Sequence, residues 1–309
     1  LDSINIFAPA TVANVACGFD IFGLAVDNPG DEVIVRKRTD DRIVIEKITG
    51  DEGKLTLDPT KNTVSVPIIK YLSQIESKHG FDIILNKKMP LGSGLGSSSA
   101  SSVAGVFAVN KLLNSPLETK ELLPFAMEGE RIACGSAHAD NVAPALLGGF
   151  VVIRSYAPLD IFQIPTPTNL FVTIVHPDIE VNTKDARHIL KNEVSMKKAI
   201  SQMGNVGGMI AGLMSSDYAL IGRSMVDFII EPIRSILIPQ FFEVKMAATD
   251  AGALGCSISG AGPSIFAFSE GKEIALKVEK AMKHEFEKVG IHTNSYVSAI
   301  NNVGPRILD

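Results

Sequence analysis

Between residues 90 and 100 the chain reads PLGSGLGSSSA, and this stretch limits the possible folds more than any other. Residues 81–86 (FDIILN) ahead of it have the apolar content of a short buried strand, and residues 99–113 that of a buried helix. Glycine and serine also make flexible linkers, but here they occupy a strand-to-helix turn. Such a turn aims free backbone N–H groups and the positive end of the helix dipole at one point. Glycines let a ligand approach the backbone closely, so the geometry suits a phosphate. A tight structural turn would use the same residues.

The general nucleotide motifs do not account for the stretch. A P-loop needs a lysine after its last glycine, where this chain has Ser97-Ser98-Ser99, and a dinucleotide fingerprint needs G-x-G-x-x-G, where Gly92, Gly94 and Gly96 alternate. Neither HRD nor DFG occurs.

With 309 residues and 46% hydrophobic composition, the chain can bury a large core and is expected to form two domains. A net charge of −5 offers no basic field for nucleic acid or an anionic membrane, and four tyrosines without tryptophan offer little for base stacking. No apolar run reaches the length of a membrane span, and LDSINIFAPA lacks the features of a signal peptide, so a cytoplasmic protein is expected. Cys17, Cys134 and Cys256 are scattered, without CxxC or a histidine at metal spacing, and read as buried reduced thiols.

Strand patterns fall at residues 4–8, 32–37, 43–47, 150–154, 170–176, 256–259 and 264–269. Helical patterns fall at 64–78, after a potential cap at Asn62-Thr63, and at 118–133, 195–215, 240–251 and 272–287. Segment 155–168, carrying Pro158, Pro165 and Pro167, reads as the boundary between domains at 1–155 and 156–309. The pattern is α+β, with no internal repeat.

Pro90 followed by Gly94-Leu95-Gly96-Ser97-Ser98-Ser99 resembles a signature of the GHMP small-molecule kinase superfamily, named for galactose, homoserine, mevalonate and phosphomevalonate. Residues 8–14 (APATVAN) and 257–264 (SISGAGPS) resemble its other two signatures, in order and spanning most of the chain. Within it, residues 13–23 (ANVACGFDIFG), 138–145 (HADNVAPA) and 183–187 (TKDAR) resemble the homoserine kinase family. The resemblance implies an N-terminal domain with the ATP loop, a ferredoxin-like C-terminal domain, and a site between them. It implies ATP-dependent phosphorylation of the side-chain hydroxyl of L-homoserine, a step toward threonine, with ATP and Mg²⁺ as cofactors. The partners are then small molecules, not nucleic acid or membrane, and a homodimer is left open.

Phosphoryl transfer consists mainly of positioning and charge neutralisation. The phosphates fall to Pro90, Leu91, Gly92, Ser93, Gly94, Leu95, Gly96, Ser97, Ser98 and Ser99. The resemblance assigns Mg²⁺ to Ser98 and Glu130 and adenine to Asn62. Taken alone, Ser98 reads as a helix cap, Glu130 as a carboxylate on a solvated helix face, and Asn62 as a turn or N-cap residue. Lys87 or Lys88 supplies a mobile counter-charge or sits in water. For a zwitterionic acceptor, Arg187 and Arg234 suit the carboxylate and Asp20 the ammonium. Asn14 could bond the acceptor hydroxyl, His138 completes the polar wall, and Gly260 lies in a turn that closes the cleft. The plain alternatives are a surface arginine, a helix-end salt bridge, a turn aspartate and a tight hairpin.

Relatives such as mevalonate kinase place an aspartate, as a proposed base, at the position that corresponds here to Asn141, counted back from Gly148-Gly149. An amide cannot be a base. Adjacent helical residues point about 100° apart, so Asp140 is expected to face away from a substrate that Asn141 addresses. Transfer is loose, and no carboxylate base is expected. Competing functions are a kinase of another alcohol such as mevalonate or a sugar, a non-catalytic nucleotide or amino-acid sensor, and a nucleic-acid module. The arginine pair with Asp20 speaks against a sugar, and Ser98 with Glu130 against a sensor.

Overall fold

The computed structural model describes residues 2–135, 137–181, 183–191 and 193–308; the side chains of Cys134, Thr183 and Lys184 lie outside the described set. Strands β1 (Ser3–Ala13), β2 (Phe22–Lys37) and β3 (Ile43–Thr49), helix α1 (Ser65–Gln74) and strand β4 (Phe81–Asn86) open a seven-stranded sheet. β2 pairs antiparallel with β1 and β4, whereas β3 runs parallel to β4, which demands the crossover that α1 supplies. Helix α2 (Ser97–Leu112) packs against β1 and β2 and is buried on nearly every side. That is why it carries small residues all round instead of an amphipathic stripe.

A 3₁₀ turn at Thr119–Leu122 leads into α3 (Leu123–Cys134), then α4 (Val142–Leu147), then the hairpin of β5 (Phe150–Tyr156) and β6 (Leu159–Ile164). β5 pairs with the first residues of β2, so this long strand is shared by both halves of the sheet. The boundary expected at residue 155 therefore falls inside a hairpin. Its prolines flank β6 without entering it, where they would cost ladder bonds.

Next come β7 (Leu170–Pro177), α5 (Thr183–His188), α6 (Met196–Ser215), α7 (Tyr218–Ser224), α8 (Glu231–Arg234) and α9 (Phe241–Asp250). They are followed by β8 (Gly255–Ile258), β9 (Ile265–Glu270), α10 (Lys272–Glu287) and β10 (Thr293–Ala299). The four strands form an antiparallel sheet in the order β10-β7-β9-β8, the arrangement of a ferredoxin-like layer. Phe241 and Val244 of α9 and Val278, Met282 and Phe286 of α10 pack with Val175, Ile258 and Ile265 into its core. A last strand, β11 (Arg306–Leu308), returns to β1 in the first sheet. No helix among the described residues is long and apolar enough to cross a membrane.

A buried ion pair sits where β2, β4 and α2 converge. Lys87 Nζ donates to Asp31 Oδ2 at 2.5 Å, to the Ser97 carbonyl at 2.8 Å and to Ser101 Oγ at 2.8 Å. Asp31 also accepts from Ser97 Oγ and from the backbone N–H groups of Lys88 and Met89. All three ammonium hydrogens are engaged and the side chain is 2% exposed, so Lys87 is not the mobile counter-charge expected beside the loop. Lys88 is exposed and pairs with Glu32. Removing one partner of a buried pair strands the other's charge, so Lys87→Met should cost about 3–5 kcal/mol in urea denaturation. Lys87→Met combined with Asp31→Leu should cost much less. A single-variant loss below about 1 kcal/mol would show that the pair does not hold this junction together.

Candidate active site

The glycine and serine run forms the turn from β4 into α2. Gly96 is the N-cap of α2 at φ 68°, and no side chain caps it, which leaves the first-turn N–H groups for a ligand. A Cβ on Gly94 (φ 77°) would lie 2.5 Å from the Ser259 carbonyl oxygen, and one on Gly96 would lie 2.1 Å from Thr11 Oγ1. Both positions therefore need glycine for space as well as for backbone conformation. Ser259 Oγ donates to the Gly94 carbonyl at 2.7 Å, and the Ser264 N–H to the Ser93 carbonyl at 3.2 Å. The GAGP turn of the second layer thus clamps the loop. The Leu95 carbonyl accepts from the Thr11 N–H, and the loop fronts a cavity of about 420 Å³. Leu91, Gly92, Ser93, Ser97, Ser98 and Gly260 are among its lining residues, whereas Leu95 and Ser99 are fully buried and Pro90 only leads into the turn.

Glu130, on α3, is 7% exposed and accepts from Ser98 Oγ and Ser99 Oγ, each at 2.6 Å. Its expected alternative, a solvated helix face, does not hold. The pair presents hard oxygen donors at the mouth of the phosphate loop, and no group of three or more His, Cys, Asp or Glu able to hold a metal occurs among the described residues. One carboxylate with a hydroxyl fits Mg²⁺, which keeps waters and takes phosphate oxygens as its other ligands. Asn62 lines the same cavity, but its amide is committed locally: Nδ2 donates to the Thr56 carbonyl at 2.7 Å and Oδ1 accepts from the Val64 N–H at 3.0 Å. It shapes the turn ahead of α1; the N-cap is Val64.

The proposed acceptor residues converge beside this cavity. Arg187, on α5, donates to both oxygens of Asp20, at 3.2 and 2.6 Å. Arg234, at the end of α8, is 4% exposed and donates to the carbonyls of Ala186 at 3.2 Å and Gly260 at 2.9 Å. Among the described residues no carboxylate lies within ion-pair distance of Arg234, and burial holds its pKa below the ordinary guanidinium value. Among the described residues, the helix-end salt bridge does not form. His138 Nδ1 lies 3.8 Å from Asp20, its Nε2 is buried without a partner, and desolvation lowers its pKa. Asn14 accepts the Asp20 N–H at 3.0 Å and donates to the Gly260 carbonyl at 2.9 Å.

Helix α4 begins at Val142 with Asn141 as its N-cap, and Asp140 lies in the turn before it. The helical spacing that set Asp140 facing away therefore does not apply. Asn141 Oδ1 accepts from Thr11 Oγ1 at 2.7 Å, on the wall of the cavity that the loop fronts. Asp140 is buried with Oδ1 unpartnered, and desolvation, followed by the charges of Asp20 and Glu130, pushes its carboxyl up to about 7. Sequence reasoning gave no role to Thr11, Ser259, Phe19 or Tyr156. The first three lie in the quoted motifs; Tyr156, whose hydroxyl donates to the Asp20 carbonyl and accepts from the Ala139 N–H, carries no motif signal. Cys17 and Cys256 are free and buried, and burial pushes both thiols up to about 12.

Because the folded-state pKa of Asp140 lies above its unfolded value, the folded protein holds the extra proton. Stability is then lost as pH rises from about 4 through 7. Asp140→Asn removes that loss, so its stability advantage over the parent should be small at pH 4. It should grow to the order of 3–4 kcal/mol by pH 8, measured by denaturation across that range. An advantage that does not change with pH would mean that the carboxyl is not desolvated.

The description "GHMP kinases N terminal domain" matches residues 62–149, and "GHMP kinases C terminal" matches residues 209–288. The chain belongs to the GHMP kinase family. Within it, relatives matched along the whole chain include homoserine kinases. That of Chlorobium phaeovibrioides is 52% identical over 100% of both chains, and that of Chlorobaculum tepidum 49% identical over 100% of this chain and 99% of its own. The crystal structure of homoserine kinase from Cytophaga hutchinsonii matches with a TM-score of 0.98 at 59% identity, covering 100% of this chain and 98% of that one.

Proposed function

We propose that the protein transfers the γ-phosphoryl group of ATP to the side-chain hydroxyl of L-homoserine, giving O-phospho-L-homoserine and ADP in threonine biosynthesis. The observation that carries the reading is the buried guanidinium of Arg234, bonded among the described residues to carbonyls alone, beside the Arg187–Asp20 pair. A buried cation without an ion-pair partner is costly, and an anionic ligand relieves it. Arg187 and Arg234 take the substrate carboxylate, and Asp20, with His138 beside it, takes the ammonium. The clamped loop and the uncapped start of α2 hold the phosphates. Ser98 and Glu130 would hold Mg²⁺, which when bound neutralises phosphate charge.

Asn141, fixed by Thr11, orients the acceptor hydroxyl or a phosphate oxygen at the wall of the cavity that the loop fronts. The hydroxyl proton passes to the transferring phosphoryl group as the new O–P bond forms, without a carboxylate base. Asp140→Asn should then slow the chemical step in single-turnover kinetics by less than the ~10²-fold at which loss of a general base begins to register. A larger fall with homoserine affinity unchanged would make Asp140, whose pKa of about 7 suits a base, the proton acceptor.

An ADP-release assay over a panel of hydroxyl acceptors tests the substrate. L-homoserine should be preferred, and Arg187→Ala should raise its KM by about 10–100-fold, the worth of one charge-assisted hydrogen bond, with little change in KM for ATP. Equal turnover of mevalonate and homoserine would overturn the assignment.

A further inference from the structure

Segment 14–22 is a turn under backbone strain. Asn14 (φ 69°), Val15 (φ 38°), Ala16 (φ 61°) and Asp20 (φ 60°) all occupy the left-handed region, which costs a β-branched valine most. Four backbone bonds brace it: the N–H groups of Gly18, Ile21 and Phe22 donate to the carbonyls of Asn14, Gly18 and Gly18, and the Asn14 N–H donates to Phe22. A Cβ on Gly18 would lie 2.1 Å from the Phe22 ring, so the coil has no slack. What it projects is Phe19 next to Asp20.

The Phe19 ring centroid lies 5.4 Å from Arg187 Cζ and 5.1 Å from Arg234 Cζ. Two like charges are brought to one aromatic ring, and the electrostatic effect of Arg187 works against the charge on Arg234. A ring quadrupole attracts both cations at once, more strongly where water is scarce. The ring is not an ordinary core side chain: it is only partly buried and borders an apolar cavity of about 380 Å³ with Cys17, Ile21, Met203 and Ile230.

We propose that Phe19 is a positioning residue for the carboxylate end of the acceptor, its ring holding the Arg187 and Arg234 guanidinium groups side by side so that both face one anion. The inference rests on the phosphotransfer reading above. Without the ring, mutual repulsion and hydration spread the two groups, and the carboxylate pays to reassemble them.

The test compares the parent with Phe19→Leu, which keeps the apolar bulk, and Phe19→Tyr, which keeps the aromatic face. Acceptors are L-homoserine and 3-amino-1-propanol, the same molecule without its carboxylate, with KM for ATP and Tm measured alongside. Phe19→Leu should raise KM for homoserine about 10-fold, a value within reach of two cation–π contacts. It should leave kcat/KM for 3-amino-1-propanol and KM for ATP within about 2-fold, and Phe19→Tyr should restore homoserine binding. Unchanged KM for homoserine in Phe19→Leu, an equal loss with both acceptors, or failure of tyrosine to rescue would overturn the proposal. If the parent enzyme itself fails to prefer homoserine over 3-amino-1-propanol, the substrate reading fails instead, and the two failures remain distinct.

Discussion

The geometry of the phosphate loop rests on one ion pair that never reaches solvent. Asp31 lies on β2, Lys87 directly follows the neighbouring β4, and both bond to the first turn of α2. A loop made of glycine and serine has almost no side-chain packing of its own and pays a high entropic cost for being ordered. The pair fixes where the loop leaves β4 and where α2 begins. A hydrophobic pair of similar volume could fill that space with equal stability, but it would not bond to the Ser97 carbonyl or orient the helix start.

The acceptor site obeys a related economy of charge. Before substrate arrives, Asp20 and Arg187 satisfy each other, while Arg234 relies on carbonyl dipoles and an aromatic ring. On the proposed reading, binding a zwitterion would exchange one ion pair for two and supply the buried arginine with an anion. A neutral polyol offers neither exchange, so discrimination follows from desolvated charge more than from shape.

Much of this was legible in the residues. The strand-to-helix position of the Gly/Ser run, the extent of α10 at residues 272–287, and the convergence of residues from four distant segments followed from patterning and motif resemblance. What escaped had physical causes. β2 contains Asp27-Asn28-Pro29-Gly30, turn chemistry that breaks its register with β1 between Ala25 and Gly30 without ending the strand. β6 was hidden by prolines at both its ends. The burial of Glu130 was invisible because a helix with few local clues does not declare which neighbour covers it. Lys87 was misjudged because its partner lies 56 positions away in sequence, and no local pattern records a contact of that range. Asp140 was placed by a helical spacing that begins two residues later than assumed.

The bonds from Ser259 and Ser264 to Gly94 and Ser93 bear on how the molecule comes apart. The loop belongs by sequence to the first sheet, yet its Ser93 and Gly94 carbonyls are satisfied from the second, and β11 crosses back to β1. Neither layer can melt without leaving the other with exposed edges and unpaired groups. The two layers are therefore coupled into one cooperative unit, and exchange of the Ser264 N–H, which the loop's Ser93 carbonyl holds, requires the two layers to part.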